Sequence, residues 1–284
     1  MADEQKSGNG ATTTLSPPAD KKVAALSGLV SIIVPCCGML EYTKLCVPSL
    51  LWYSREPFEL IFIDIGSLDG TVEYLAGIAA AARVRVEVVR TPTDLGIPDA
   101  VKEAIHRARG EYLVLLNNDT IVCHDWLNQL ISLVTTLPEI GMAGPMSNYA
   151  APPQLVETGP YRVGPLKGSR FYGNLRASEV LVNVDEVHSF AKQFRESHKG
   201  RWLPVDRLGG FCLLLKRQVL TKIGVELEPW TDLSLFDTDI LSSKARQAGF
   251  TLACCRDCFV HHFGMRTFAH GAAALNKATD LPIR

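Results

Sequence analysis

Apolar runs of strand length alternate with stretches of helical periodicity along the first half of the sequence. The first run, residues 29–35, is rich in β-branched side chains and ends in proline, which predicts a buried strand. Strands joined through helices at this spacing form right-handed βαβ units around a mostly parallel sheet, so the chain is predicted to be an α/β protein. The predicted strands are 29–35, 58–64, 84–90 and 112–116, and the predicted helices are 40–53, 71–82, 97–109 (terminated by Gly110) and 126–136.

The alternation breaks after Leu137. Residues 144–205 are rich in proline and carry few periodic runs apart from a predicted helix over 184–198. A long excursion of this kind in a nucleotide-binding α/β domain commonly builds the pocket of the second substrate. The polar residues 1–28 predict a disordered tail, and residues 29–284 predict one domain. Regular patterns resume with predicted strands over 211–216 and 250–255 and predicted helices over 217–223 and 237–249.

Charge and hydropathy exclude several classes of protein. The net charge of −1 provides no overall field that would attract nucleic acid or an anionic membrane, so local groups would have to hold a nucleotide. No apolar run reaches the roughly 18 residues of a membrane span, and residues 1–22 lack the apolar stretch of a signal peptide. Most of the eight cysteines lie in apolar runs, where reduced thiols behave as small hydrophobes. The expectation is a cytoplasmic protein with free thiols.

Polar and acidic residues follow three of the predicted strands at the point where each strand ends. Ligands of an open parallel sheet bind beyond the carboxyl ends of its strands, and these three ends fall on the same edge. The sequence therefore predicts the binding site at this edge. The residues concerned are Pro35, Cys36 and Cys37 after the first strand, Asp64 after the second, and Asn117, Asn118 and Asp119 after the fourth.

Asp119 is the candidate metal ligand. A carboxylate just past a buried strand is desolvated unless it is paired or binds a metal. A diphosphate leaving group needs its growing negative charge neutralised, and Mg²⁺ or Mn²⁺ suits the oxygen ligands that a carboxylate and phosphates supply. The competing interpretation is that the Asn-Asn-Asp segment forms only a turn and a helix cap.

Asp237 and Asp239 open a predicted helix after an aromatic loop. One interpretation is that they only complement the dipole of the first helical turn. The other is that one of them is a general base that deprotonates an acceptor hydroxyl. The spacing by itself slightly favours the first interpretation.

His261 and His262 are adjacent and would point in opposite directions on an extended chain, so at most one faces a site. A competing hypothesis combines both with Cys255 and Cys258 in a structural zinc site. It is disfavoured because all four residues lie within eight positions, whereas zinc ligand pairs usually sit far apart and close a loop.

Six segments, taken in order, resemble glycosyltransferase family 2 over roughly residues 30–268. Any one is weak evidence, but six in the right order on an α/β pattern are specific. They are the strand that ends in Pro35, the Asp-x-Gly-Ser-x-Asp-Gly-Thr element at 64–71, Gly-Glu-Tyr-Leu-Val-Leu-Leu-Asn-Asn-Asp-Thr at 110–120, a glycine-rich strand at 209–212, the acidic helix start at 237–239, and His-His-Phe-Gly-x-Arg-Thr-Phe at 261–268.

The resemblance implies a GT-A fold and a metal-dependent, inverting transfer of a sugar from a nucleotide diphosphate donor, with a UDP-sugar as the expected donor. It implies a nucleotide-sugar-binding half at 29–143 and an acceptor-binding and catalytic half at 144–284. The acceptor, whether glycan, lipid-linked or protein, is not identified. The implied roles are Asp119 and His262 as ligands of Mn²⁺ or Mg²⁺, Asp237 as the base with Asp239 as its possible substitute, Pro35, Cys36, Cys37, Asp64, Asn117 and Asn118 around the nucleotide, and Gly209 and Gly210 where backbone approaches the substrates.

The donor segments depart from the family pattern. Ile65 replaces a polar residue, and Cys36-Cys37-Gly38 replaces a polar-aromatic turn. A sugar-nucleotide-binding protein with weak catalysis is therefore one alternative. A nucleotidyltransferase is another, but it would carry a basic, glycine-rich phosphate loop after the first strand, and Cys36-Cys37-Gly38-Met39 has no basic residue.

Overall fold

The computed structural model of the chain describes residues 25–91, 96–156, 183–224 and 238–264. Within these residues, nine strands form a mixed sheet with helices packed against it. The strands are β1 Leu26–Cys36, β2 Phe58–Ile65, β3 Val86–Thr91, β4 Gly110–Leu116, β5 Thr120–Val122, β6 Ile140–Met146, β7 Trp202–Val205, β8 Cys212–Lys216 and β9 Thr251–His262; the helices are α1 Leu40–Tyr53, α2 Thr71–Ala81, α3 Gly96–Arg107, α4 Trp126–Thr136, α5 Val184–His198, α6 Arg217–Lys222 and α7 Thr238–Gln247. The strand order is β3-β2-β1-β4-β8-β6-β9-β5, and β7 also pairs with β9.

Strands β1 to β4 form the predicted parallel half of the sheet. β1 lies between β2 and β4 and is parallel to both. β1 begins at Leu26, three residues before the predicted start, because an irregularity around Gly28 (φ +73°) lets Leu26 pair with Gly110. The N–H of Leu26 donates to the carbonyl of Arg109 at 2.7 Å, which ties this early segment to the sheet.

The second half of the sheet is mixed, and three of its strands were not predicted. β8 is antiparallel to β4 and β6, whereas β6 is parallel to β9. β6 is hard to recognise because its sequence contains glycine at 141 and 144 and proline at 145. The structure gives the reason: a Cβ at Gly141 would lie 2.7 Å from the Phe250 ring, and one at Gly144 would lie 2.6 Å from Nε2 of Gln154. The other unpredicted strands are β5 and β7, and β9 extends to His262 instead of ending at Cys255.

The sequence pattern predicted that Gly110 terminates α3, and this prediction was wrong. The helix ends at Arg107, and Gly110 is the first residue of β4. A Cβ at this position would lie 2.6 Å from the backbone nitrogen of Ser31 and 2.8 Å from the carbonyl oxygen of Leu29. The glycine is therefore needed for the close approach of β4 to β1.

Helices cover both faces of the sheet. Ile32 and Val34 of β1 belong to one buried cluster, together with Leu50 of α1 and Trp126 of α4. The alternate residue Ile33 belongs to a second cluster on the other face, which α3, α6 and α7 cover. This alternation is the period of two that a strand buried on both faces requires. None of the described helices has the length and apolar character needed to cross a bilayer.

A buried carboxylate joins three strands at the amino edge of the sheet. Glu59 of β2 is 1% exposed, and its Oε1 accepts hydrogen bonds of 2.6 Å from the Ser31 hydroxyl and from the backbone N–H of Arg109. Its Oε2 forms ion pairs with Arg85 at 2.6 Å and Arg109 at 3.0 Å. Burial by itself raises the pKa of Glu59, but these hydrogen bonds outweigh burial and lower it.

Candidate active site

The carboxyl ends of β1, β2 and β4 meet at one edge of the sheet, as the sequence predicted. Cys36 at the end of β1 lies opposite Asp64 at the end of β2. The β4 end is joined to the segment before β8, because the N–H of Asn117 donates to the carbonyl of Phe211 at 2.9 Å. The fold thus places most of the predicted site residues that the structure describes along a single edge.

The turn between β1 and α1 is held by side chains of the 64–71 element. Gly38 and Met39 have positive φ angles of 67° and 63°, and the N–H of Gly38 donates to the Ser67 hydroxyl at 2.7 Å. Asp69 accepts from the N–H of Leu40 at 2.9 Å and from the Thr71 hydroxyl at 2.6 Å. Burial raises the pKa of Asp69, but these hydrogen bonds outweigh it and lower the pKa, so the carboxylate stays charged. The turn is therefore fixed before any ligand binds.

Asp64 is a fully buried carboxylate at this edge. Its Oδ1 accepts from the N–H of Ser67 at 3.2 Å, and its Oδ2 lies 3.5 Å from Nε of Arg90. Burial raises the pKa of Asp64, more than the Ser67 hydrogen bonds and Arg90 lower it. A buried acid whose ionised form is disfavoured is typical of a functional position.

The cysteines of the β1–α1 turn have different environments. The Cys36 side chain is fully buried in the core, where burial raises its pKa well above the ordinary value, so only its backbone can contact a ligand. Pro35 and Cys37 are half-buried at the edge.

The side chain of Asn118 links two elements of the candidate site through hydrogen bonds. This side chain is fully buried, and its amide donates to the carbonyl of Gly38 at 3.3 Å and to the Thr43 hydroxyl at 2.9 Å. The carbonyl of Asn117 accepts from the Thr120 hydroxyl at 2.8 Å. Asn118 therefore connects the end of β4 to the β1–α1 turn.

Asp119 and His262 face each other across the short β5–β9 pair. The antiparallel pairing sets Thr120 opposite His262, and the N–H of Phe263 donates to the carbonyl of Asp119 at 2.9 Å. Oδ1 of Asp119 lies 3.4 Å from Nε2 of His262, and both side chains are almost fully buried. Two residues that are far apart in sequence thus form a compact carboxylate–imidazole pair at the carboxyl edge.

The orientation of the His262 ring is fixed by its other nitrogen. Nδ1 lies 2.9 Å from the carbonyl oxygen of Tyr149, which can only accept, so Nδ1 carries a proton. Phe211 stacks on the ring at 5.2 Å with an interplanar angle of 14°. Nε2 is consequently the nitrogen that points at Asp119.

The neighbouring His261 faces a different environment, as expected for adjacent residues on a strand. Its ring makes an edge contact with Phe263 at 4.4 Å, and burial lowers its pKa to about 3. Among the described residues, no group of three or more His, Cys, Asp and Glu side chains has the arrangement of a metal site. His262 contacts Asp119, and the Cys258 thiol instead donates to the carbonyl of Trp126 at 3.5 Å.

Gly209 and Gly210 lie where the excursion returns to the sheet. The N–H of Gly209 donates to Oε1 of Gln154 at 2.7 Å. A Cβ at Gly210 would lie 2.9 Å from the side chain of Thr238, the first residue of α7. The start of α7 is therefore packed against the glycine loop beside the site.

Of the two candidate bases, only Asp239 is among the residues that the structure describes. Asp237 lies outside the described residues, one position before α7. Asp239 is in the first turn of α7, mostly exposed, and pairs with Arg207 at 3.4 Å. Its partner Arg207 lines a groove of about 1060 Å³ between β7 and α7.

Three residues of the segment after β6 belong to the site and were not predicted. Asn148 accepts from the N–H of His262 at 2.9 Å and donates to its carbonyl at 3.0 Å, as a paired strand would. Gln154 joins Gly209 to the carbonyl of Pro145, to which its amide donates at 2.8 Å. Tyr149 binds Nδ1 of His262 through its carbonyl. The available signal was the run of uncharged hydrogen-bonding and aromatic residues at 147–149, since loop residues of this kind often serve function.

Comparisons with known proteins identify the family to which the chain is similar. Residues 31–216 match the family model described as glycosyl transferase family 2. The chain is 27% identical over 226 residues, 78% of its length and 23% of the relative's, to an uncharacterized protein, y4gI, of Sinorhizobium fredii. It is 31% identical over 106 residues, 37% of its length and 42% of the relative's, to an uncharacterized glycosyltransferase of Haemophilus influenzae. The chain thus spans less than half the length of these relatives.

Two solved structures share the fold. A mannosyltransferase from Pyrobaculum calidifontis, in complex with GDP-Man and Mn²⁺, superposes with a TM-score of 0.56 at 15% identity, over 94% of this chain and 70% of that one. GalNAc-T7 with UDP, GalNAc and Mn²⁺ superposes with a TM-score of 0.55 at 16% identity, over 83% and 43%. The predicted GT-A fold is confirmed by these likenesses.

Proposed function

The chain belongs to glycosyltransferase family 2, and from this premise we propose that it is a metal-dependent, inverting glycosyltransferase that uses a nucleotide diphosphate sugar. The observation that carries the proposal is the Asp119–His262 pair at the carboxyl edge of the sheet. The acceptor hydroxyl would attack the anomeric carbon from the face opposite the nucleotide, which is the geometry of an inverting displacement.

The pair has the donor set of a Mn²⁺ or Mg²⁺ site. Nε2 of His262, the ring nitrogen that does not face the Tyr149 carbonyl, lies 3.4 Å from Oδ1 of Asp119. A carboxylate oxygen and an imidazole nitrogen so close together can both serve as ligands of one divalent cation. A metal-bound histidine commonly donates its other N–H to a backbone carbonyl, as His262 does to Tyr149. A divalent cation held here would neutralise the charge that grows on the departing nucleoside diphosphate.

The remaining residues of the site have separate tasks in this proposal. Asp64 and the turn of Pro35, Cys36 and Cys37 bind the nucleoside, with Cys36 contributing backbone groups. Asn117 and Asn118 fix the β4 end, and the backbone at Gly209 and Gly210 contacts the sugars. Asp237 is the candidate base that removes the acceptor proton, and Asp239 is its possible substitute.

Release of nucleoside diphosphate tests the function. We expect one donor among UDP- and GDP-sugars to stabilise the chain against heat in the presence of Mn²⁺ and to be hydrolysed slowly without an acceptor. Asp119→Asn should abolish the Mn²⁺-dependent part of nucleotide binding in calorimetry. The matched control is Asp185→Asn, which alters an exposed carboxylate on α5.

The products distinguish the alternatives. Binding of a donor with no nucleoside diphosphate released under any condition would leave only the sugar-nucleotide-binding function. Release of pyrophosphate in place of nucleoside diphosphate would indicate a nucleotidyltransferase. Unchanged Mn²⁺-dependent affinity in Asp119→Asn would contradict the metal assignment. Asp237→Asn and Asp239→Asn, each measured for donor binding and for transfer, would identify the base as the variant that keeps binding and loses transfer.

A further inference from the structure

Gln154 is a buried amide that joins two segments of the candidate site. Its side chain is 2% exposed, its Oε1 accepts from the N–H of Gly209 at 2.7 Å, and its Nε2 donates to the carbonyl of Pro145 at 2.8 Å. A backbone N–H only donates and a backbone carbonyl only accepts, so the bridge needs one donor and one acceptor on the same side chain. An ionised acid of the same length would supply only the acceptor.

The backbone of Gln154 is connected to the candidate metal ligand His262. The carbonyl of Gln154 accepts from the N–H of Ser147 at 2.8 Å, which closes a loop over residues 147–154. Within this loop, Asn148 forms two hydrogen bonds with the backbone of His262, and the carbonyl of Tyr149 lies 2.9 Å from its Nδ1. The loop that carries Gln154 therefore also holds His262.

The side chain of Gln154 is connected, through residues 208–210, to the start of α7. The N–H of Leu208 donates to the Ser242 hydroxyl of α7 at 3.3 Å, and Ser242 is 1% exposed. Gly210 packs against Thr238, the first residue of α7, so closely that a Cβ would lie 2.9 Å from the threonine side chain. The candidate base Asp237 directly precedes Thr238 in the sequence. Gln154 thus stands between the helix that follows the candidate base and the loop that holds the candidate metal ligand.

We propose that Gln154 is a positioning residue for glycosyl transfer, which fixes residues 208–210 and the first turn of α7 relative to the Asp119–His262 pair. The inference rests on the proposed function. In an inverting displacement the base and the departing nucleoside diphosphate act on opposite faces of one carbon, so the rate depends on the distance between the two halves of the site. A displacement of about 1 Å can lower such a rate by about 100-fold.

Gln154→Met tests the role, because methionine keeps the length of the side chain and removes both hydrogen bonds. The assay is hydrolysis of the UDP- or GDP-sugar that the wild-type chain cleaves fastest with Mn²⁺, in which water takes the place of the acceptor hydroxyl. We expect kcat to fall by about tenfold or more, and KM for the donor to change by less than about threefold. The affinity for Mn²⁺ in the presence of UDP or GDP should also be retained.

Gln129→Met is the matched control. Gln129 is a half-buried amide of α4 whose Nε2 donates to the carbonyl of Asp257 at 2.6 Å, so the same substitution removes a similar hydrogen bond away from the site. We expect this variant to have a lower Tm than wild type and an unchanged kcat. The comparison separates a general loss of stability from a loss of alignment.

Gln154→Glu gives a pH-dependent test of the same bridge. The ionised carboxylate accepts from Gly209 but repels the carbonyl of Pro145, whereas the protonated acid has a donor and an acceptor, as the amide has. Because burial raises the pKa of a carboxyl group, protonation falls within the range of an activity assay. We expect the ratio of kcat in Gln154→Glu to kcat in wild type to be several-fold higher at pH 6 than at pH 8. The same ratio for Gln154→Met should not change with pH.

The results separate this inference from the proposed function. A wild-type chain that releases no nucleoside diphosphate from any donor would contradict the proposed function and the inference with it. If the wild type is active, the positioning role is overturned by a Gln154→Met variant with wild-type kcat, by an equal loss of kcat in Gln129→Met, or by a loss of Mn²⁺-dependent nucleotide affinity as large as the loss of kcat. If Gln154→Met does not fold, Gln154→Glu decides, and a ratio that is the same at pH 6 and pH 8 overturns the role.

Discussion

The Asp119–His262 pair shows that candidate site residues can be inferred from the sequence, whereas the residues that hold them in position cannot. Asp119 follows a buried apolar strand, which restricts the roles of its carboxylate. Asn148 carries no such signal, because it lies in a stretch without periodicity, and its role depends on β9 reaching His262. Sequence reasoning thus found the facing side chains and missed the amide that holds the backbone of one of them.

Asn148 should affect the metal affinity through His262. Asn148→Ala removes both hydrogen bonds to the His262 backbone, so we expect Mn²⁺ affinity in the presence of UDP or GDP to fall by about tenfold or more, as for other partners of metal ligands. Electron paramagnetic resonance of free Mn²⁺ measures this. The control is Asn128→Ala, an exposed amide on α4. A variant with a lower Tm and unchanged Mn²⁺ affinity would show that Asn148 only stabilises the loop.

Asp64 should be more useful for binding than for stability. Its pKa is raised by burial, so its stabilising contribution is complete below the pKa of a free Asp and is lost as the pH rises through the raised value. Asp64→Asn avoids this loss, and we expect a Tm higher than that of wild type at pH 8. Nucleotide affinity should fall in the same variant. Scanning calorimetry at pH 8 that finds a lower Tm than wild type would contradict the prediction.

At the scale of elements, the predictable ones are those whose periodicity is set by burial alone. α1, α4 and α5 have the predicted bounds, and α4 and α5 each bury one apolar stripe. β6 was missed because its glycines are required by contacts with Phe250 and Gln154, which lie at distant positions in the sequence. Tertiary contact, and not local propensity, determines such a strand.

The Glu59 network should contribute to stability without contributing to the site. Glu59→Ala leaves the N–H of Arg109 and the Ser31 hydroxyl without this acceptor, at a cost of roughly 1–3 kcal/mol for each buried group left unsatisfied. We expect a clear fall in the free energy of unfolding in urea and unchanged Mn²⁺-dependent nucleotide affinity in the folded protein. Glu103→Ala, which breaks a half-exposed pair with Arg107, should change stability by less than about 1 kcal/mol. Equal effects of the two substitutions would argue against the network.

At the scale of the whole molecule, one sheet joins the two predicted halves. β8 of the second half extends the sheet directly from β4, β6 crosses the predicted boundary between residues 143 and 144, and β9 brings His262 back to Asp119. The alternation in the first half predicted which strand ends meet at one edge, since parallel strands end on the same side of a sheet. It could not predict that an antiparallel strand, β5, would align the two candidate metal ligands, because three residues are too few for a periodic signal.

The burial of two histidines makes the fold sensitive to acid. Burial lowers the pKa of His188 to about 4 and that of His261 to about 3, from the ordinary value of 6.5. As the pH falls below about 6.5, the unfolded chain binds protons on these histidines while the folded chain does not. The stability that the folded chain has above this pH is therefore lost as the pH falls toward the pKa values of the folded state. At pH 5 each histidine should lower the free energy of unfolding by about 2 kcal/mol.

His188 allows this prediction to be tested away from the site. Its ring packs on Tyr53 at 4.4 Å, and neither ring nitrogen has a hydrogen-bond partner within the described residues, so His188→Phe should preserve the packing. We expect this variant to lose about 2 kcal/mol less than wild type between pH 7 and pH 5 in urea unfolding. His106→Phe, which alters an exposed histidine at the end of α3, should show the wild-type pH dependence. If His188→Phe also follows the wild-type curve, the acid sensitivity comes from other groups, with His261 as the next to test.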